Sequence, residues 1–150
     1  MSRAALACVV LLTGLSTGCI NFETNLYEVL LTGQVEVADG ALNTGAVHLE
    51  FHVATSAGNG ALSHPLGEFD RRSISSPGAV RETILYPLDE GSGLVVYGWL
   101  DADGDGSLCA VGAPRTEPAG LVQVNGFPAH ELSFTLLLDS PCAGPELLYP

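Results

Sequence analysis

The residues best suited to chemistry in this chain are three aspartates in the segment Asp101–Gly106, which reads DADGDG. Their carboxylates stand two residues apart, and the glycine at the sixth position permits the sharp turn that gathers positions one, three and five around one point. Hard cations such as Ca²⁺ bind about 6–8 oxygen atoms. The spacing therefore predicts a calcium-binding loop in which Asp101, Asp103 and Asp105 are ligands and the backbone carbonyl of Ser107 is a further one.

The remainder of the calcium-loop pattern is incomplete. The twelfth position is Gly112 rather than the glutamate that supplies two oxygens in the EF-hand, and no helical pattern flanks the loop. Glu117 or Asp139 could complete the ligand shell from elsewhere in the chain. These features predict a weak site, toward the extracellular range of about 10⁻⁴–10⁻³ M. The alternative is a solvated acidic turn, because Asp and Gly are common turn residues.

The other side chains that could bind a metal or take part in catalysis have simpler interpretations. His48, Glu50 and His52 alternate along one strand, so they share a face and could form a metal-binding edge or the solvent-facing side of that strand. No Ser, Cys or Thr stands beside a recognisable base, and we predict no catalytic residue. Three aromatic residues either stack on a sugar or pack in the core, and their apolar segments favour the core: Tyr97, Trp99 and Phe134.

Four cysteines divide into two groups by position. Cys8 lies within an N-terminal apolar segment, and Cys19 follows the small residues at its end. Cys109 and Cys142 are the remaining pair, and in an exported chain they are predicted to form a disulfide bond, which would tie the loop after Asp105 to the C-terminal tail. The alternative is two free or buried thiols. Two isolated cysteines fit no common zinc pattern.

Hydrophobic periodicity predicts the elements that position these residues. Apolar and polar residues alternate over 28–37, 47–53 and 132–138, an uninterrupted apolar run covers 94–100, and shorter strands are indicated near 80–86 and 120–124. Residues 55–70 are rich in Gly, Ser, Asn and Pro and are interpreted as a loop with a short strand near 62–69. Short strands separated by turns predict an all-β fold, a single antiparallel β-sandwich of about seven strands.

Charge narrows the range of partners. The 150 residues contain 17 Asp+Glu and five Lys+Arg, a net charge of −12, and all the cations are arginines. No basic face is available to neutralise phosphates, which excludes nucleic acid as a partner. The hydrophobic content of 47% excludes a disordered chain.

The N-terminus has the order of an export signal. Arg3 precedes an apolar run over residues 4–15, and small residues follow it up to Cys19. The run is too short to span a bilayer as a helix. We therefore divide the chain into a signal peptide (1–18), a lipidated N-terminus and tether (19–27) and a β-sandwich domain (28–150).

The segment Leu15-Ser16-Thr17-Gly18-Cys19 resembles the lipobox of bacterial lipoproteins, although Ser16 stands where that motif usually has Leu. The resemblance implies that Cys19 carries the lipid and that the chain is anchored to a membrane without spanning it. No Asp follows Cys19, which by the same resemblance implies the outer membrane of the cell envelope. The alternative is ordinary cleavage nearby, which would leave Cys19 as a free thiol.

The segment Val96–Gly106, in which Tyr97-Gly98-Trp99-Leu100-Asp101 runs into the acidic turn, resembles transthyretin-like (prealbumin-like) sandwich modules of bacterial surface proteins. The acid that this family usually carries after the turn is replaced by Leu108–Gly112. The resemblance implies a non-enzymatic structural or interaction module with an envelope protein or glycan as a possible partner. The alternatives are a carbohydrate- or peptide-binding domain that uses a sheet edge or loop ends, and a small envelope hydrolase.

Overall fold

The computed structural model describes residues 25–38, 43–56, 62–111 and 116–149. Its elements, in chain order, are β1 (Leu26–Val37), β2 (Ala46–Ser56), β3 (Leu62–Ile74), β4 (Ala79–Pro87), β5 (Gly93–Asp101), β6 (Pro118–Gln123), β7 (Glu131–Leu138), β8 (Ser140–Pro141) and α1 (Pro145–Leu148). The predictions of a signal peptide over residues 1–18 and of lipid on Cys19 lie outside these described residues.

The strands form two sheets, as the sequence predicted for a β-sandwich. One sheet has the order β4-β1-β7, and the other has the order β3-β2-β5-β6-β8. The prediction of antiparallel pairing holds for every described pair except β1 and β7, which run parallel from Leu30↔Glu131 to Val37↔Leu138. A parallel pair joins strands that are distant in sequence, so neither strand's own residue pattern indicates it.

Alternation of apolar and polar residues sets the core. In β7 each second side chain is buried, and β2 buries Val47, Leu49, Phe51 and Val53 in the core between the sheets. Side chains one residue apart in a strand point to opposite faces, so each sheet contributes one apolar face to the space between the sheets. Burial of this surface stabilises the sandwich at roughly 25 cal/mol per Å² of apolar area.

β5 is buried on both faces, as its uninterrupted apolar sequence predicted. Its inner face, with Leu94, Val96 and Leu100, belongs to the core between the sheets. Its outer face is covered by the C-terminal tail and the loop that follows β5. This cover consists of two small apolar clusters. In one, Val95 packs with Ala54 and Tyr149. In the other, Tyr97 and Trp99 pack with Ala119, Leu108, Leu121 and Leu148.

The interpretation of residues 55–70 as mostly loop is wrong in the described part. β2 extends to Ser56, and β3 occupies 62–74 and pairs with β2 as an edge strand. Edge strands tolerate Pro and Gly, because one side of the strand makes no ladder hydrogen bonds. The pairing is interrupted between Phe51 and His52 and between Val53 and Thr55, which is how the ladder accommodates the irregular sequence of β3.

Candidate metal site

Pairing of β5 with β6 brings the two ends of the acidic loop together. Asp101 is the last residue of β5, and Glu117 directly precedes β6. The strands are antiparallel, with Trp99 opposite Ala119, so residues just beyond these two positions lie at the same end of the strand pair. Glu117 is sixteen positions from Asp101 in sequence and is placed beside it by the sheet.

Four carboxylates converge at this end of the sandwich. One carboxylate oxygen from each of Asp101, Asp103, Asp105 and Glu117 lies within 4.8 Å of the others. Asp101 is 6% exposed and Glu117 2% exposed, whereas Asp103 and Asp105 face solvent. Like charges this close repel one another, and a bound cation would remove that repulsion. The cluster has the donor atoms and spacing to hold a metal ion.

Backbone hydrogen bonds shape the loop around Asp101. The N–H of Gly104 donates to Oδ1 of Asp101 at 2.8 Å, and the N–H of Gly106 donates to Oδ2 at 3.1 Å. Both glycines have positive φ, +78° and +75°, which other residues rarely adopt. The N–H groups of Asp105 and Ser107 donate in the same way to Asp103 and Asp105. The loop therefore curls around its first aspartate, as the glycine positions predicted.

The sequence left open whether Glu117 or Asp139 completes the ligand shell. The structure brings Glu117 to the cluster, whereas Asp139 is exposed and lines a different cavity. Glu117 accepts hydrogen bonds from the N–H of Ala102 at 3.0 Å and from that of Cys109. The signal that could have found it is an acidic residue at the start of the strand that pairs with β5. The role of the Ser107 carbonyl stays a prediction.

The disulfide bond between Cys109 and Cys142 is confirmed, with a Cα–Cα distance of 5.5 Å. The N–H of Cys142 donates to the backbone carbonyl of Glu117 at 2.9 Å. Glu117 thus contacts the acidic loop through its carboxylate and the C-terminal tail through its backbone. The bridge joins the same two segments covalently, so the loop, the tail and the start of β6 are held together.

His48 lies directly beside the cluster. Its Nε2 is 3.7 Å from Oδ2 of Asp101, its ring stacks on Trp99 with centroids 4.4 Å apart, and its Nδ1 is 2.8 Å from the Oγ of Ser73. The distance to Asp101 exceeds that of a hydrogen bond. A groove of about 360 Å³ opens here, lined among others by His48, Glu50 and Gly106.

The other histidine of β2 is paired differently. Nε2 of His52 lies 3.1 Å from Oε2 of Glu50, and His52 is only 4% exposed, so the prediction of a solvent-facing strand side is wrong for this residue. His52 is buried because it lies on the same outer face of the sheet as Tyr97, and its ring packs against the edge of the Tyr97 ring. Within the described ranges, the acidic cluster is the only group of three or more potential ligands that converges, and it includes neither histidine.

The aromatic residues pack as predicted. Tyr97, Trp99 and Phe134 are 1%, 8% and 7% exposed, respectively. Phe134 belongs to the core between the sheets, and the ring of Trp99 is covered by His48. These three rings therefore offer no open stacking surface.

Comparison with known proteins does not assign this chain to a family. Across the described residues, no helix has the length and apolar character needed to cross a membrane. No protein-family model, curated protein or solved structure matches the chain. The β-sandwich and its acidic cluster are therefore the features on which a functional proposal must depend.

Proposed function

We propose that this protein is a non-enzymatic, lipid-anchored module of the bacterial cell envelope, a transthyretin-like β-sandwich whose acidic loop is stabilised by calcium. The observation that supports it is the convergence of Asp101, Asp103, Asp105 and Glu117 within 4.8 Å. Oxygen donors of this kind suit calcium, and the cluster lacks the nitrogen and sulfur donors that zinc prefers.

The role of the ion would be electrostatic. Without it, four carboxylates share one end of the sandwich in a chain that carries a net charge of −12. A divalent cation would convert their repulsion into a link between the loop and the start of β6. Because the disulfide bond joins the same loop to the tail, binding would also rigidify the cover over Trp99.

The proposed location depends on the N-terminal sequence. The export signal over residues 1–18 and the lipobox-like segment ending at Cys19 support anchoring by acyl chains, and the absence of Asp after Cys19 favours the outer membrane. Two or more acyl chains give stable anchoring without help from anionic lipid headgroups, which an acidic domain would not attract. Mass analysis of the purified native protein tests this: an N-terminal Cys19 with added acyl mass supports anchoring, and an unmodified Cys19 contradicts it.

Calcium titration of a soluble form that begins at residue 20 tests the ion site. For a dissociation constant in the extracellular range, 10 mM Ca²⁺ should stabilise the fold by about 1.4–2.7 kcal/mol and raise its melting temperature. Asp103→Ala should abolish the shift, because it removes one converging carboxylate. Glu36→Ala removes an exposed acid of β1 with the same change in net charge and should leave the shift intact. Equal melting temperatures with Ca²⁺ and with EDTA would discard the site.

A small hydrolase is the second candidate function, because Ser73 and His48 are in hydrogen-bond contact at 2.8 Å. A serine nucleophile requires an adjacent base of this kind. Covalent labelling with a fluorophosphonate probe distinguishes the two proposals. Labelling of Ser73 that His48→Asn abolishes would establish the hydrolase, whereas the non-enzymatic proposal expects an unlabelled protein.

A further inference from the structure

The seam between β6 and β7 is formed by two incompletely paired strands. β6 pairs with β5 along its length but with β8 only at Pro118 and Ala119, and β7 pairs only with β1 in the described part of the chain. The two edges face each other at one side of the sandwich. They are closed at one end, where the N–H of Asp139 donates to the carbonyl of Ala119 and the Leu137 carbonyl packs directly against Gly120. Beyond this contact, residues 121–123 and 131–135 present open edges.

The alternation of hydrogen bonds along β7 determines which of its backbone N–H and C=O groups point away from β1. Leu30 donates to the carbonyl of His130 at the start of the β1–β7 ladder, and Ala38 donates to that of Leu138 at its end. In a parallel ladder alternate residues bond to the partner strand, so the even-numbered residues of β7 face β1. The backbone N–H and C=O groups of Ser133 and Thr135 consequently point to the open edge.

The same reasoning applies to β6. The N–H of Val124 donates to the carbonyl of Leu94, which sets the even-numbered residues of β6 toward β5. The backbone groups of Leu121 and Gln123 therefore point away from β5, toward the seam. Unpaired N–H and C=O groups along a strand edge are a template for a further strand.

A groove follows these two edges. Two cavities, of about 330 and 260 Å³, both have Val122 and Thr135 in their walls and so adjoin along the seam. The first is lined by backbone of Gly120 and by apolar side chains that include Leu121, Leu137 and Leu148. Leu137 is 46% exposed, so its side chain is available for contact from the groove. The groove thus combines open hydrogen-bonding edges with a mostly polar wall, to which these leucines add apolar contact area.

The charge of the lining favours a basic occupant. The acid lining the groove is Asp139, Glu131 stands exposed at the other end of β7, and neither cavity has an arginine in its walls. A second copy of this chain would carry the same net charge of −12, and repulsion between the two acidic chains disfavours self-association. An extended segment with basic residues would be attracted instead, and alternate apolar side chains would contact Leu121 and Leu137.

We propose that the β6–β7 seam binds an extended, basic polypeptide segment of a partner protein, which adds as a strand to the open edge of β7 at Ser133 and Thr135. Main-chain hydrogen bonds would supply affinity, and the acidic and apolar lining would select the side chains. This proposal is independent of the ion site, since no residue of the acidic cluster lines the seam.

A synthetic peptide tests the proposal on the full-length chain. The probe is a capped peptide of about eight residues that alternates Lys and Val. The first comparison is the same peptide N-methylated at every second amide, which removes the donors on one edge, and the second is the Glu–Val equivalent. We expect saturable binding of the Lys–Val peptide. Both comparison peptides should bind with an affinity lower by about tenfold or more. Hydrogen exchange should show new protection at the amides of Ser133 and Thr135.

A matched pair of proline variants locates the binding edge. Thr135→Pro removes an outward-pointing N–H of β7 without breaking the β1–β7 ladder, and it should weaken peptide binding about tenfold. Thr83 is also exposed and also lies on an edge strand, and the bonds from Leu88 to Asn25 and from Val35 to Gly78 place its N–H on the open edge of β4. Thr83→Pro should therefore leave binding unchanged.

Several results would overturn the proposal. They are equal binding of the N-methylated peptide, equal binding of the acidic peptide, and no new protection at Ser133 and Thr135 in the wild-type protein. Sedimentation that shows a dimer lost in Thr135→Pro would assign the edge to a second copy of the chain instead. The exchange measurement needs no variant, so it decides the question even if a proline variant fails to fold.

Discussion

The carboxyl group of Glu117 holds both ends of the acidic loop, and this makes it the most informative single residue. It is 2% exposed and accepts N–H groups from Ala102 and Cys109. In Glu117→Gln an NH₂ group replaces one acceptor, so one of these N–H groups loses its partner. We expect the free energy of unfolding in EDTA to fall by about 1–3 kcal/mol, measured by urea denaturation. Glu36→Gln, at an exposed position, should change it little; equal losses in both variants would contradict the role of Glu117.

At the residue scale, the sequence predicted the part of the site that is local. Asp101, Asp103 and Asp105 are gathered by spacing and by glycines whose positive φ is a property of the loop itself. Glu117 joins them only because β5 and β6 pair in one register, with Trp99 opposite Ala119. A residue pattern carries no direct record of such a register, which is why Glu117 and Asp139 could not be distinguished beforehand.

The C-terminal tail is the element whose position depends on the disulfide bond. The bridge joins residues 33 positions apart, and the chain-entropy relation gives about 3–4 kcal/mol for a loop of this length. The double variant Cys109→Ala/Cys142→Ala should lose stability of that order in urea. Trp99, 8% exposed beneath this cover, should become more solvent-accessible, which a red shift of its fluorescence would report. Unchanged stability and fluorescence would show that non-covalent contacts alone hold the tail.

Among the elements, the strands with regular alternation were predictable and the irregular ones were not. β7 buries each second residue, and β5 is apolar throughout because the tail covers its outer face. β3 was predicted only in part, as a short strand near 62–69, because Pro65 and Gly67 interrupt its first half. Its pairing with β2 overrides that local preference and extends the strand to Ile74. The parallel contact of β1 with β7 joins residues about one hundred positions apart, beyond the reach of any local pattern.

At the scale of the whole molecule, the buried tyrosine hydroxyls predict alkaline unfolding. Burial raises the pKa of Tyr86 to about 12, and the nearby carboxylate of Glu90 raises it further. Burial also raises the pKa of Tyr97, with Glu50 and Glu146 adding to the effect. Both hydroxyls donate to carbonyls, Tyr97 to that of Ala143 in the tail, so both are needed in the protonated form.

The sign of this effect follows from linkage. The ordinary tyrosine pKa is 10.0, so above that pH the unfolded chain releases these protons while the folded chain retains them. The stability that these two hydroxyls contribute should be fully present below pH 10 and should be lost as the pH rises from 10 toward 12. Urea denaturation at a series of pH values checks this, and Tyr86→Phe should reduce the slope by one proton while costing about 1 kcal/mol near neutral pH. A free energy of unfolding that stays constant from pH 10 to 12 would mean that the tyrosines of the sandwich titrate as freely in the folded chain as in the unfolded one.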